Sequence, residues 1–282
     1  MSNSVTNLTG VEARYVDLLK RSLTGTAGRA TYDVMVPRSR RLHRLHQRAY
    51  WSVQTLLARR GLELLRQSDH KAGAQGLGWT AIGETMVGIT RLEQIEACIA
   101  DVMTDDVPGD FIETGVWRGG ASIFMRALLD VHGDTERTVW LADSFAGLPK
   151  PDVESYPVDK GNRLWQQGAQ LAISLEQVRA NFERHGFLDD RVRFLRGWFR
   201  DTLPTAPVEH LAILRLDGDM YESTMVALEA LYDRLSVGGY VIVDDYALPT
   251  CVQAIADFRQ RRDIHDPIVR VDWTGVHWRK SG

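Results

Sequence analysis

Two acidic doublets carry the most chemistry in this chain. Leu214-Arg215-Leu216-Asp217-Gly218-Asp219-Met220-Tyr221 ends one apolar run, and Val241-Ile242-Val243-Asp244-Asp245-Tyr246 ends the next. If both runs are parallel strands, their C-terminal ends reach the same sheet edge, where ligands bind in open α/β folds. Carboxylates crowded there repel one another and resist ionisation. A hard divalent cation resolves that conflict, and an all-oxygen donor set suits Mg²⁺ better than zinc. The competing reading is a set of separate strand-end acids that cap helices or pair with arginine.

A second constellation lies upstream, in Glu113-Thr114-Gly115-Val116-Trp117-Arg118-Gly119-Gly120. Glycines there let the backbone approach a ligand, and a helix N-terminus following them offers free N–H groups. The spacing is not Gly-x-Gly-x-x-Gly, which argues against a dinucleotide-dependent dehydrogenase. It fits the looser acidic-x-Gly-x-x-x-Gly loop that holds S-adenosylmethionine, although tight turns share this pattern. Asp143, in Leu141-Ala142-Asp143-Ser144, follows Gly115 by 28 residues. At a strand end it is placed to accept both hydroxyls of a ribose; otherwise it is a loop or capping carboxylate.

Other chemistries are poorly supported. None of the eight histidines forms a His-x-x-x-His pair on a plausible site helix, and no Gly-x-Ser-x-Gly elbow or Walker loop occurs. Cys98 and Cys251 lie 153 residues apart, without zinc spacing or a disulfide framework.

The elements that must position these residues follow from periodicity. Beyond Gly109, β-rich runs at 110–117, 138–145, 191–199, 211–217 and 240–246 alternate with helical patterns at 121–131, 175–185 and 224–235. Such alternation predicts an α/β fold with a mostly parallel sheet and helices on both faces. Runs at 268–273 and 275–278 leave no room for a helix between them and should form a C-terminal antiparallel hairpin. The layout matches the Rossmann-like class I methyltransferases. Residues 150–174 carry no strand pattern but hold Tyr156, Trp165 and three glutamines. A connection of that length suits a lid over the strand ends.

The first 84 residues read as a helical N-terminal extension, leaving 85–282 for the main domain. A short helical pattern covers 15–23, and an amphipathic one, with Leu42, Leu45, Ala49, Val53 and Leu56 on its apolar face, covers 40–65. A glycine-rich break at 73–78 ends it, before another helix at 91–103. Between Arg38 and Lys71, nine basic residues face two acids, a local net of 9 − 2 = +7. The whole chain carries −3, so the remainder carries −10. An acidic body disfavours nucleic acid. The modest apolar face points to packing or oligomerisation rather than stable membrane association. Hydrophobic residues make up 44%, no apolar run approaches membrane-spanning length, and 1–10 lacks a signal pattern. A cytoplasmic location is expected.

Taken together, four long motifs resemble the macrocin O-methyltransferase family. They are Phe111–Gly120, Ala142-Asp143-Ser144-Phe145-x-Gly147-Leu148-Pro149, Arg215–Thr224 and Gly238–Tyr246. Glu84-Thr85-Met86-Val87-Gly88-Ile89-x-Arg91-Leu92 and Gly275-Val276-x-Trp278-Arg279-Lys280 fit as well, so the resemblance spans about 84–280. The basic stretch at 32–76 is its clearest departure. The resemblance implies a Mg²⁺- and S-adenosylmethionine-dependent enzyme that methylates a deoxysugar hydroxyl in natural-product (antibiotic) biosynthesis. By that analogy Asp217, Asp244 and Asp245 are metal ligands and Asp219 is the general base. The cofactor cradle comprises Thr85, Met86, Glu113, Thr114, Gly115, Val116, Asp143 and Ser144. The implied partners are a glycosylated small-molecule acceptor and further copies of the chain, as a homo-oligomer. Two alternatives are a metal-dependent catechol-like phenol O-methyltransferase and a non-catalytic binding subunit of the same fold.

Overall fold

The structure is a computed structural model and describes residues 10–34, 52–53, 56–57, 59–62 and 64–282. The chain opens with helix α1 (Gly10–Leu23), followed by the short strands β1 (Thr31–Val34) and β2 (Leu65–Ser68), which pair antiparallel. The amphipathic helix expected at 40–65 lies largely outside the described residues. Its expected end is corrected, because Leu65 opens β2 instead. The glycine-rich stretch at 73–78, expected as a break, begins inside a helix. Asp69 accepts the Lys71 N–H at 3.0 Å and starts a one-turn helix, His70–Ala74, that runs into it.

Helix α2 (Ile89–Thr104) leads into the main sheet. Next come β3 (Asp110–Thr114), α3 (Gly120–Val131) and β4 (Val139–Asp143), then α4 (Leu175–Arg184) and β5 (Val192–Arg196). β6 (Leu211–Leu216), α5 (Tyr221–Leu231), β7 (Leu235–Val243) and α6 (Pro249–Arg261) follow, and β8 (Val269–Arg270) and β9 (Val276–Arg279) close the fold. The strand order is β5-β4-β3-β6-β7-β9-β8. The first five strands run parallel, β9 is antiparallel to β7, and β8 is antiparallel to β9. This is the mostly parallel sheet with an antiparallel C-terminal hairpin that periodicity predicted. Helix α6 had not been read from the sequence.

Two cores cover the faces of the sheet. One packs α1, α2, α3 and α4 through residues such as Leu23, Ile95, Phe124 and Phe182. The other packs α5 and α6 through Leu228, Ile255 and Phe258. Helix α3 is buried almost all round because α1 and α2 lie over it, which its mainly apolar sequence permits. Val16, Leu19 and Leu23 make α1 part of the same core as the sheet. Among the described residues, no helix is long and apolar enough to cross a membrane.

Candidate active site

Parallel β3, β4 and β6 deliver the motif residues to one edge, around a cleft with about 790 Å³ of empty space, open solvent at its mouth included. Met86, Gly115, Val116, Asp143 and Ser144 line it on one side, Asp217 and Asp219 on another. Gly115 has φ +93°, and a Cβ there would stand 1.8 Å from the Asp217 carbonyl oxygen. The two motifs approach so closely that only glycine fits. Asp143 accepts the N–H groups of Val116 and Phe145, each at 2.7 Å. The Ser144 hydroxyl also lies 3.5 Å from Asp143 Oδ1.

Three cradle candidates, Glu113, Thr114 and Thr85, stand outside the cleft lining. Glu113 is 2% exposed, and its carboxylate takes the Arg215 guanidinium at 2.5 Å and the Ser122 hydroxyl. Its side chain thus ties β3 to β6 and α3 instead of facing the cleft. The Thr114 hydroxyl donates to the Arg215 carbonyl at 3.3 Å and is likewise buried. Thr85 is buried beside the cleft, its hydroxyl accepting the Val87 N–H at 3.0 Å. Glu84 accepts the Gly120 N–H through its carbonyl at 2.9 Å, which fixes this segment against the start of α3.

The acidic doublets do converge. Carboxylate oxygens of Asp217, Asp244 and Asp245 lie within 4.8 Å of one another. Arg215, fully buried in β6, bridges Glu113, Asp217 (2.9 Å) and Asp244 (2.5 Å). Arg91 pairs with Asp244 and, at 3.1 Å, with Asp272. Asp245 accepts the Asp219 N–H at 3.0 Å. Asp219 is held at φ +60°, a strained setting that aspartate tolerates better than most residues.

The electrostatics register too many acids for the cations present. Burial, then the Asp217 and Asp244 charges, push the Asp219 carboxyl up to about 7. Burial and the same neighbours, with Asp219, raise Asp245 well above its usual range. Asp244 alone is held below that range, because Arg91 and Arg215 outweigh its burial. Of six carboxylates, with Glu113 and Asp272 included, only Glu113, Asp217, Asp244 and Asp272 pair with the two guanidinium groups. A divalent cation between Asp217, Asp244 and Asp245 fits both the oxygen donor set and the charge deficit.

Residues 150–174 form short helical turns, and this segment reaches the cleft at Leu171. The Trp117 indole donates to the Gln170 carbonyl at 2.9 Å. Asp159, fully buried, accepts the first N–H groups of α5, from Tyr221 and Glu222, each at 2.9 Å. Met220 precedes α5 and has no side chain able to cap it, so the cap comes from this distant loop. Sequence reasoning missed Arg91, Arg215 and Asp159 as site residues. A charge inside the apolar run Leu211–Leu216 was a visible signal for Arg215, since a buried arginine must have partners. Nothing local marks Asp159.

Comparison with known proteins agrees with this geometry. The family described as macrocin-O-methyltransferase (TylF) matches residues 12–280. The match begins well upstream of residue 84, so the basic stretch read as a departure lies within it. Over 206 residues the chain is 58% identical to the 8-demethyl-8-(2,3-dimethoxy-alpha-L-rhamnosyl)-tetracenomycin-C 4'-O-methyltransferase of Streptomyces olivaceus, covering 73% of this chain and 79% of that one. It is 50% identical over 208 residues to the demethyldecarbamoylnovobiocin O-methyltransferase of Streptomyces niveus, with 73% and 79% covered. The structure of the O-methyltransferase NovP superposes with a TM-score of 0.82 at 42% identity, covering 96% of this chain and all of the other. A class I methyltransferase fold, with its motifs intact at one sheet edge, thus accompanies the sequence match. The chain belongs to the macrocin O-methyltransferase family.

Proposed function

We propose that this enzyme transfers a methyl group from S-adenosylmethionine to a deoxysugar hydroxyl of a glycosylated natural product, with Mg²⁺ required. The observation that carries the reading is one cleft lined by both the Gly115–Asp143 cradle and the Asp217–Asp219 acids. The relatives add the acceptor class, since one of them is a 4'-O-methyltransferase of a compound bearing a rhamnosyl group.

When bound, the cofactor supplies an electrophilic methyl group, and the cation supplies charge that makes a sugar hydroxyl more acidic. The chain's own residues do the rest. Gly115 and Val116 let the backbone lie against the cofactor, and Asp143 receives its ribose hydroxyls. Asp217, Asp244 and Asp245 hold the cation. Asp219 lines the cleft two residues beyond Asp217 and takes the acceptor's proton. The 150–174 loop, tied at Trp117 and at α5, acts as a lid that excludes water and orients the acceptor. We further propose that the protein works in the cytoplasm as a homo-oligomer.

The test is methyl transfer from labelled S-adenosylmethionine to a rhamnoside and to a catechol. Labelled rhamnoside, with little labelled catechol, is the expected outcome. Preferential methylation of the catechol would move the enzyme to the phenol class. Cofactor binding without transfer to any acceptor would favour a non-catalytic subunit.

A further inference from the structure

Two motifs stand apart from the roles assigned so far: Arg91 in the 84–92 segment and the turn before Gly275-Val276. They meet at the acidic cluster. Arg91 is nearly buried, with one guanidinium nitrogen on Asp244 Oδ2 and Nε 3.1 Å from Asp272 Oδ2. Asp272 Oδ1 accepts the N–H groups of Thr274 (2.9 Å) and Gly275 (2.7 Å), which fixes the turn between β8 and β9. The Thr274 hydroxyl donates to the Asp244 carbonyl at 2.8 Å, so the same turn grips the backbone of that acid. The Trp273 ring sits over the Arg91 guanidinium at 5.9 Å, and its indole N–H donates to the Gln75 carbonyl at 3.2 Å. Space is tight all round: a Cβ on Gly76 would stand 2.4 Å from an Arg91 nitrogen.

We propose that Arg91 and the 272–275 turn form a clasp that positions Asp244 for the divalent cation. Through it, the 75–76 backbone and the C-terminal hairpin are coupled to the metal site. The inference rests on the metal assignment proposed above. Arg91 is a positioning residue, acting through Asp244 and not on substrate. Its planar fork serves Asp244 and Asp272 at once, a geometry that a lysine ammonium does not reproduce. Groups that orient a metal ligand in this way typically change metal affinity by about 10–100-fold when lost.

The test compares Arg91→Lys and Asp272→Asn with the unaltered full-length protein. Lysine keeps the charge, so cation repulsion stays while the fork is lost. Asparagine keeps an Oδ1 for the turn but removes the acceptor for Arg91 Nε, and serves if Arg91→Lys does not fold. Mn²⁺ binding is read from the electron paramagnetic resonance of free Mn²⁺, and S-adenosylhomocysteine binding by calorimetry. The expected result is Mn²⁺ affinity about tenfold weaker with S-adenosylhomocysteine affinity within about twofold. Methyl transfer should need more Mg²⁺ yet reach the same kcat at saturation, whereas a merely structural defect would depress kcat at every Mg²⁺ concentration. Folded variants with unchanged or tighter Mn²⁺ binding would overturn the clasp and leave the metal site standing. Absence of Mn²⁺ binding by the unaltered protein would instead overturn the metal assignment, and the clasp with it.

Discussion

At the scale of single residues, the proposed roles divide the acids at the sheet edge into metal ligands and a general base. Asp217→Asn removes charge from the cation cluster but leaves the glycine loop intact. Metal-dependent turnover should disappear while calorimetry still detects S-adenosylhomocysteine; comparable turnover would sink the metal assignment. Asp219→Asn should preserve the backbone, because asparagine also tolerates φ near +60°. Its kcat should fall by roughly 10²–10⁴-fold, the usual contribution of a general base, with Mn²⁺ binding retained. Gly115→Ala is a different kind of change, since its methyl group would collide with the Asp217 carbonyl. Cofactor binding and thermal stability should fall together, and a variant that binds S-adenosylhomocysteine normally would contradict the close approach of the two motifs.

At the scale of elements, the 150–174 loop is tied to the site by more than Leu171 in the cleft wall. By capping α5, Asp159 ties the loop to the helix that follows the Asp217–Asp219 motif. Asp159→Ala should cost about 1–2 kcal/mol through the lost cap, measured by denaturant unfolding. It should also raise KM for the acceptor, because the loop loses one of its anchors. Unchanged stability and kinetics would show that the cap is dispensable. The strands that carry the site were legible in the sequence because each is a short apolar run ending in an acid or glycine. The β1–β2 sheet was not, because a four-residue strand such as Leu65–Ser68 alternates too briefly to stand out from a helical pattern. The clasp around Arg91 and the Asp159 cap were also hidden. Both join residues more than 60 positions apart, a relation that only the folded topology reveals.

At the scale of the whole molecule, the N-terminal helix is not an appendage. Leu23 is fully buried in the core shared by α2, α3 and α4. Leu23→Ala should therefore destabilise the entire domain, by about 2–5 kcal/mol, in a single unfolding transition. Two separate transitions, with only the first shifted, would show that α1 folds independently. The sheet and the C-terminal hairpin converge on the cluster of Asp217, Asp244 and Asp245, and the account depends most on what the cluster does. The most direct measurement is the initial rate of methyl transfer to a rhamnosylated acceptor after chelation, with Mg²⁺ then added back. Activity should vanish on chelation and return as Mg²⁺ rises, saturating at one ion per chain. A full rate in excess chelator would contradict the central claim, leaving the acids to Arg91 and Arg215 alone.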